Sequence, residues 1–204
     1  SAWGTNPNSV PTAVMLVYGT GTSTAGLIFG GNTAGGGTVT ANTQTFDGTS
    51  FSEVNDLNTA RSGLGGAGTQ TATLAYGGSY GSPATVVANT ESWDGSSWTN
   101  SPTPLISGRN SMGAAGINTA AASFGGNSPP ALGTYNNDYQ LYDGTAWVTQ
   151  PSMTTARAYI AGFGTSTATV AAGGLGPAFN PDKSRTEEFT GVTETANVTD
   201  FTTS

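Results

Sequence analysis

The stretch TESWDGSSWT, residues 90–99, reads as a hairpin: Trp93 precedes an Asp-Gly pair, and Trp98 follows the glycine by three residues. Asp-Gly between alternating residues is a strong turn signal, because glycine accepts the positive φ that a tight reversal needs. Nearly the same phrase returns as TQTFDGTSF at 43–51 and as YQLYDGTAW at 139–147. A weaker copy, TEEFTGVTE at 186–194, carries Thr190-Gly191 in place of Asp-Gly.

Other markers keep the same register. Gly-Gly pairs stand at 30–31, 77–78, 125–126 and 173–174, spaced 47, 48 and 48 residues apart. Arg61, Arg109 and Arg157 recur every 48 residues, with Val14 in the remaining place. A glycine stands nine residues before each pair (Gly21, Gly68, Gly116, Gly164). The chain is therefore four copies of one unit. Within a unit, GLGGAGTQTATLAYGG (63–78) reads as two strands around a Gly/Thr/Gln turn; a variable loop and the Asp-Gly hairpin follow. Alternation has period 2, and no window favours a helix. Four antiparallel strands per unit of about 48 residues make a β-propeller blade. The predicted fold is all-β, a four-bladed propeller spanning 1–191, with a tail at 192–204. Trp3 aligns with Phe51, Trp98 and Trp147, whereas the fourth copy has Glu194 in that column. The expectation is that residues 1–5 complete the last blade and close the ring, which leaves no unpaired edge. The alternative is an open arc of a larger ring.

An Arg, a strand ending in Gly-Gly, a loop, an aromatic-Asp turn and then a Trp resemble the kelch repeat of galactose-oxidase-like propellers. The likeness covers about residues 13–191. The Ser/Thr/Gly-rich, low-charge version, with FSEVNDLNTAR at 51–61, resembles repeats of marine bacteriophage structural proteins. That likeness implies a virion or extracellular location. It also implies a structural role in a fibre, tail or decoration.

Composition removes other classes. A net charge of −7 argues against nucleic acid as a partner, and no apolar run approaches the length that inserts into a membrane. The chain has no Cys and no His, so thiolate catalysis, Zn–S sites and the commonest general base are missing. Galactose-oxidase copper chemistry loses its histidine ligands. Glu91 and Glu187 share a column with Gln44 and Gln140 and read as sheet decoration; Glu188 and Asp138 are loose carboxylates. The expectation is no enzyme, no cofactor and no metal.

Strand parity puts the Asp-Gly turns on one face of the propeller. The connectors with the arginines, and the long loops at 32–40, 79–88, 127–137 and 175–185, fall on the other. Asp47, Asp94 and Asp143 read as turn residues, and Trp3, Phe51, Trp98 and Trp147 as packing between blades. Arg61, Arg109 and Arg157 have two readings: ties that bond carbonyls, or a positive rim that grips an anion. Tyr80, Tyr135 and Phe179 in the long loops are candidate contact aromatics. The expected partners are other structural proteins or surface glycans, with a homo-oligomer or a larger assembly as the setting.

Overall fold

Each Gly-Gly pair lies in left-handed backbone, with φ of 64° and 98° at Gly77 and Gly78 and 62° and 95° at Gly125 and Gly126. A Cβ on Gly77 would stand 2.5 Å from the Arg109 carbonyl oxygen, so a side chain is excluded there on two counts. The second glycine of the pair donates its N–H to the arginine carbonyl that begins the next blade. Gly31 bonds Arg61, Gly78 bonds Arg109 and Gly126 bonds Arg157, each at 2.8 Å. The marker motif is thus the place where one blade is fastened to the connector that leaves it.

The computed structural model describes residues 4–33, 38–81, 84–129, 134–177 and 185–191. The chain is a four-bladed β-propeller of antiparallel sheets. Blade 1 comprises Tyr18–Thr22, Ala25–Phe29, Thr43–Phe46 and Phe51–Val54. Blade 2 comprises Gly65–Thr69, Ala72–Tyr76, Thr90–Trp93 and Trp98–Asn100. Blade 3 comprises Gly113–Ile117, Ala120–Phe124, Tyr139–Tyr142 and Trp147–Gln150. Blade 4 has three described strands, Ala161–Gly164, Ala168–Ala172 and Thr186–Thr190. The Asp-Gly hairpins keep one register, with Phe46 opposite Phe51, Trp93 opposite Trp98 and Tyr142 opposite Trp147.

The core lies between blades rather than within them. Leu27, Phe29 and Leu57 meet Ala75, Trp93 and Trp98 at the first junction. Tyr76 and Leu105 meet Ala114 and Trp147 at the second, and Phe124 and Tyr139 meet Ile160 and Ala171 at the third. Each outer-strand tryptophan lies on an aromatic of the preceding blade and donates its indole N–H to that blade's third strand. Trp98 sits 5.1 Å from Phe29 and bonds Thr43 Oγ1 at 3.0 Å. Trp147 sits 4.8 Å from Tyr76 and bonds Thr90 Oγ1 at 3.1 Å. Tyrosine replaces threonine at position 139, and its hydroxyl lies 2.9 Å from Thr169 Oγ1 of blade 4.

The inner strands pack in sequence, blade 1 on blade 2, blade 2 on blade 3 and blade 3 on blade 4. Gly66 and Gly162 allow this: a Cβ on either would fall 2.7 or 2.6 Å from Phe29 or Phe124 of the preceding blade. Among the described residues, Gly19, the matching residue of blade 1, is bounded only by Ile28 and Leu27 of its own blade. The inner strands of blades 2 and 3 are largely buried, while that of blade 4 is largely exposed, with Phe163 at 57%. Among the described residues the outer strand Thr186–Thr190 pairs with Ala168–Ala172 and with no second strand. Gly4 and Thr5 belong to no strand, and the expected closure through Trp3 falls outside the described residues. So does the tail from 192 onward.

Candidate functional site

Each arginine carries its backbone on one blade and its side chain into the next. Arg61 Nη1 donates to the carbonyls of Gly77 (2.6 Å) and Asn89 (3.0 Å), and its Nη2 meets Glu91 Oε1 at 2.8 Å. Arg157 repeats the pattern one junction later but one, bonding the carbonyls of Gly173 and Arg185 and Glu187 Oε1 at 3.0 Å. Arg109 bonds the carbonyls of Gly125 and Asp138. Its column offers the neutral Gln140, so its nearest carboxylate is Asp138 at 3.4 Å. Burial brings the Arg109 guanidinium down to about 10, against the pull of Asp138, which raises it.

All three arginine side chains are fully buried. The rim reading is therefore corrected: these guanidinium groups are buried and bond carbonyls and carboxylates at the junctions, with Arg109 Nε and Arg157 Nε without a partner among the described residues. The tie reading describes them. The view of Glu91 and Glu187 as sheet decoration is corrected with it. Glu91 accepts from the Asn58 backbone N–H at 2.7 Å as well as from Arg61, and Glu187 likewise accepts from Thr154. Gln140 Oε1 accepts from the Ile106 N–H at 3.0 Å. These donors stand three residues before each arginine. Three residues before Val14 stands Pro11, which has no N–H, and the buried Gln44 Oε1 is without a partner among the described residues. Part of the signal was present in the repeat: the copy without an arginine is also the copy with a proline in the donor column, while its neutral Gln44 is matched by Gln140 in a copy that keeps its arginine.

The opposite end is uniform. Asp94 Oδ1 accepts the N–H groups of Ser96 and Ser97, both at 2.8 Å. Asp47 and Asp143 do the same for Thr49 and Ser50 and for Thr145 and Ala146. These turns also receive the connector of the preceding blade. Asn8 Nδ2 donates to the Thr49 carbonyl, Asn55 Nδ2 to that of Ser96, and Thr103 Oγ1 to that of Thr145. The two backbone N–H bonds hold the Asp94 carboxylate at about 2, below its ordinary 3.8. A depressed folded-state value means the ionised form contributes stability above pH 3.8, lost as pH falls through about 2. Asp94→Asn is expected to flatten that part of a melting-temperature profile taken between pH 5 and pH 1.5. An unchanged profile would show that the turn is not coupled to folding.

The loop end is varied. Tyr80, 40% exposed, lies on the short hairpin of Ser79–Tyr80 with Thr85–Val86 in blade 2. Tyr135 is half-buried and bridges Asn127 in blade 3. Phe179 lies outside the described residues. Asp138 is taken by Arg109, and Glu188 lines a recess of about 130 Å³ between the outer described strand of blade 4 and the connector residues Met153 and Thr154. Among the described residues no three His, Cys, Asp or Glu side chains come together as a metal site. Neither a protein-family model nor a curated protein matches this sequence.

Proposed function

We propose that the chain is a non-catalytic binding or structural module, a kelch-like propeller that serves on a virion surface as part of a fibre, tail or decoration. Support comes from the contrast between its two ends. The Asp-Gly end repeats one turn in three blades, each closed by its aspartate on its own backbone, whereas the loop end differs from blade to blade. Loops held on a rigid sheet scaffold are where recognition concentrates. Protein contacts through these loops would rest on polar groups and on Tyr80, because the regularly placed cations are buried.

A second reading, glycan binding in the manner of a lectin, is favoured by the exposed Tyr80 ring, an apolar platform of the kind that sugar faces stack on. A glycan array run at low and at high salt separates the two. Specific co-purification with the structural proteins of one particle, without saturable glycan binding, supports the structural reading. Saturable binding that drops at least tenfold in Tyr80→Ala supports the lectin. In either case Arg61, Arg109 and Arg157, being buried, are not expected to make affinity fall with salt. A steep salt dependence would show that an exposed charge elsewhere does the recognising.

A further inference from the structure

The pairs Asp47-Gly48, Asp94-Gly95 and Asp143-Gly144 carry a reactivity of their own, and the chain has no Asn-Gly pair beside them. An aspartate before glycine is the carboxyl group most open to its own backbone, because glycine has no side chain to shield its nitrogen. In that reaction the glycine nitrogen bonds the aspartate Cγ and gives up its proton, and a carboxyl oxygen leaves as water. The product is a five-membered succinimide. Water then adds back at either ring carbonyl. The chain is left as aspartate or as isoaspartate, in which the backbone runs through the side-chain carbon. No oxidant, metal or enzyme enters the balance.

The folded turn opposes the first step in two ways. Its carboxyl group is already engaged: Oδ1 of each aspartate accepts the N–H groups two and three residues on, at 2.7–2.8 Å. Attack by the glycine nitrogen requires the group to leave those amides. Loss of water requires it to be protonated, whereas the same bonds hold it ionised. The backbone is fixed as well. The three glycines stand at φ of 94°, 96° and 95°, and each aspartate N–H bonds the carbonyl three residues on, at Ser50, Ser97 and Ala146. Opening of a hairpin removes these restraints together, and all three aspartates are exposed to water.

We propose that Asp47, Asp94 and Asp143 are latent isomerisation sites, guarded by their own turn bonds while the outer hairpins are closed and released when a hairpin opens. The guard is unequal. Among the described residues Asp94 accepts four bonds, two from N–H groups and two from the hydroxyls of Ser96 and Ser97. Asp47 accepts three, one of them from the Ser50 hydroxyl. Asp143 accepts two, both from N–H groups, and alanine stands at 146 where the other turns have serine. Each turn also receives one connector bond at a carbonyl, so the connectors do not separate the three. The closed protein is therefore expected to isomerise fastest at Asp143, next at Asp47 and slowest at Asp94. Isoaspartate adds a backbone carbon inside the turn that sets Phe46 opposite Phe51, Trp93 opposite Trp98 and Tyr142 opposite Trp147. A hairpin isomerised while open does not close again on that register. The inference stands apart from what the loop end binds.

The full chain is incubated at neutral pH, folded and in urea. Cleavage after Arg61, Arg109 and Arg157 then leaves one Asp-Gly pair in each of three peptides, and electron-transfer fragmentation counts the isoaspartate at each. In urea the three sites are expected to react at similar rates, since each has an aromatic before it and threonine or serine after the glycine. In the folded chain each is expected to slow by at least about tenfold, in the order given above. Ala146→Ser supplies the hydroxyl that Ser50 gives to Asp47, and is expected to bring Asp143 to the rate of Asp47. The double variant Ser96→Ala, Ser97→Ala is expected to bring Asp94 to the rate of Asp143. The unchanged turns of the same molecule serve as the reference in both variants. Equal rates in the folded chain and in urea would overturn the proposal. So would a folded-state order that ignores the bonds and moves in neither variant, because the carboxyl bonds would then not be the guard.

Discussion

Glu91→Ala is expected to destabilise the chain by about 3–5 kcal/mol, the scale for removing one partner of a buried ion pair. Both side chains are fully buried, and Glu91 is tied at both oxygens, to Arg61 at 2.8 Å and to the Asn58 N–H at 2.7 Å. Its loss leaves a guanidinium in the junction that burial already pushes below its ordinary range and that Glu91 alone raises. It also removes the acceptor of the Asn58 backbone N–H at the connector. Glu91→Gln is expected to cost less than Glu91→Ala, because an amide oxygen still accepts the connector N–H as Gln140 does, although Arg61 then lacks the carboxylate that Asp138 supplies to Arg109. The double variant Arg61→Met, Glu91→Leu is expected to regain most of the loss, since two apolar groups leave no uncompensated charge. Urea denaturation of the three variants with a common m-value decides the matter. Equal losses for Glu91→Ala and the double variant would show that the pair matters for its shape and not for its charge.

Trp147→Ala is expected to cost about 3–5 kcal/mol, whereas Phe51→Ala, in the same column of the repeat, is expected to cost about 1 kcal/mol or less. Trp147 is 6% exposed, wedged between Tyr76 at 4.8 Å and Tyr142 at 5.3 Å, with its indole bonded to Thr90. Its removal leaves a cavity between two sheets that backbone hydrogen bonding prevents from collapsing, and orphans a threonine hydroxyl. Among the described residues Phe51 has no aromatic of another blade to lie on and meets its own hairpin partner Phe46. The comparison is made by thermal melting. A loss at Phe51 equal to that at Trp147 would mean that blade 1 is covered on its outer side.

The period of the repeat made the blades legible, because Asp-Gly turns and Gly-Gly pairs are required by backbone geometry at fixed points and so survive in every copy. The junction ties were less legible. Arg61 and Glu91 lie 30 residues apart and belong to neighbouring units, so only knowing that connectors lean forward onto the next blade brings them together. Strand parity placed the arginines at the correct end of the propeller but says nothing of whether a side chain points out or in. Here it points in, because the carbonyls of Gly77 and Asn89 need donors that the sheet does not supply. The seam was the hardest to read, since the alignment of Trp3 with the repeat is the same whether the strand returns to its own blade or reaches another.

The forward lean of the arginine ties bears on how such a chain can grow. Every tie is made between a unit and its immediate successor, and its carbonyl acceptors recur with the same spacing, while the carboxylate column reads Gln44, Glu91, Gln140 and Glu187. A genetic duplication of whole periods that keeps an arginine ahead of the blade it now enters therefore brings its partners with it, whereas one that sets Arg61 ahead of Gln44 leaves it without a carboxylate. An insertion inside a strand or connector separates a donor from its acceptor, whereas one in a long loop does not, and the repeats already differ there by single residues. The ties thus hold the strands and connectors in step and leave the loops between them free to diverge.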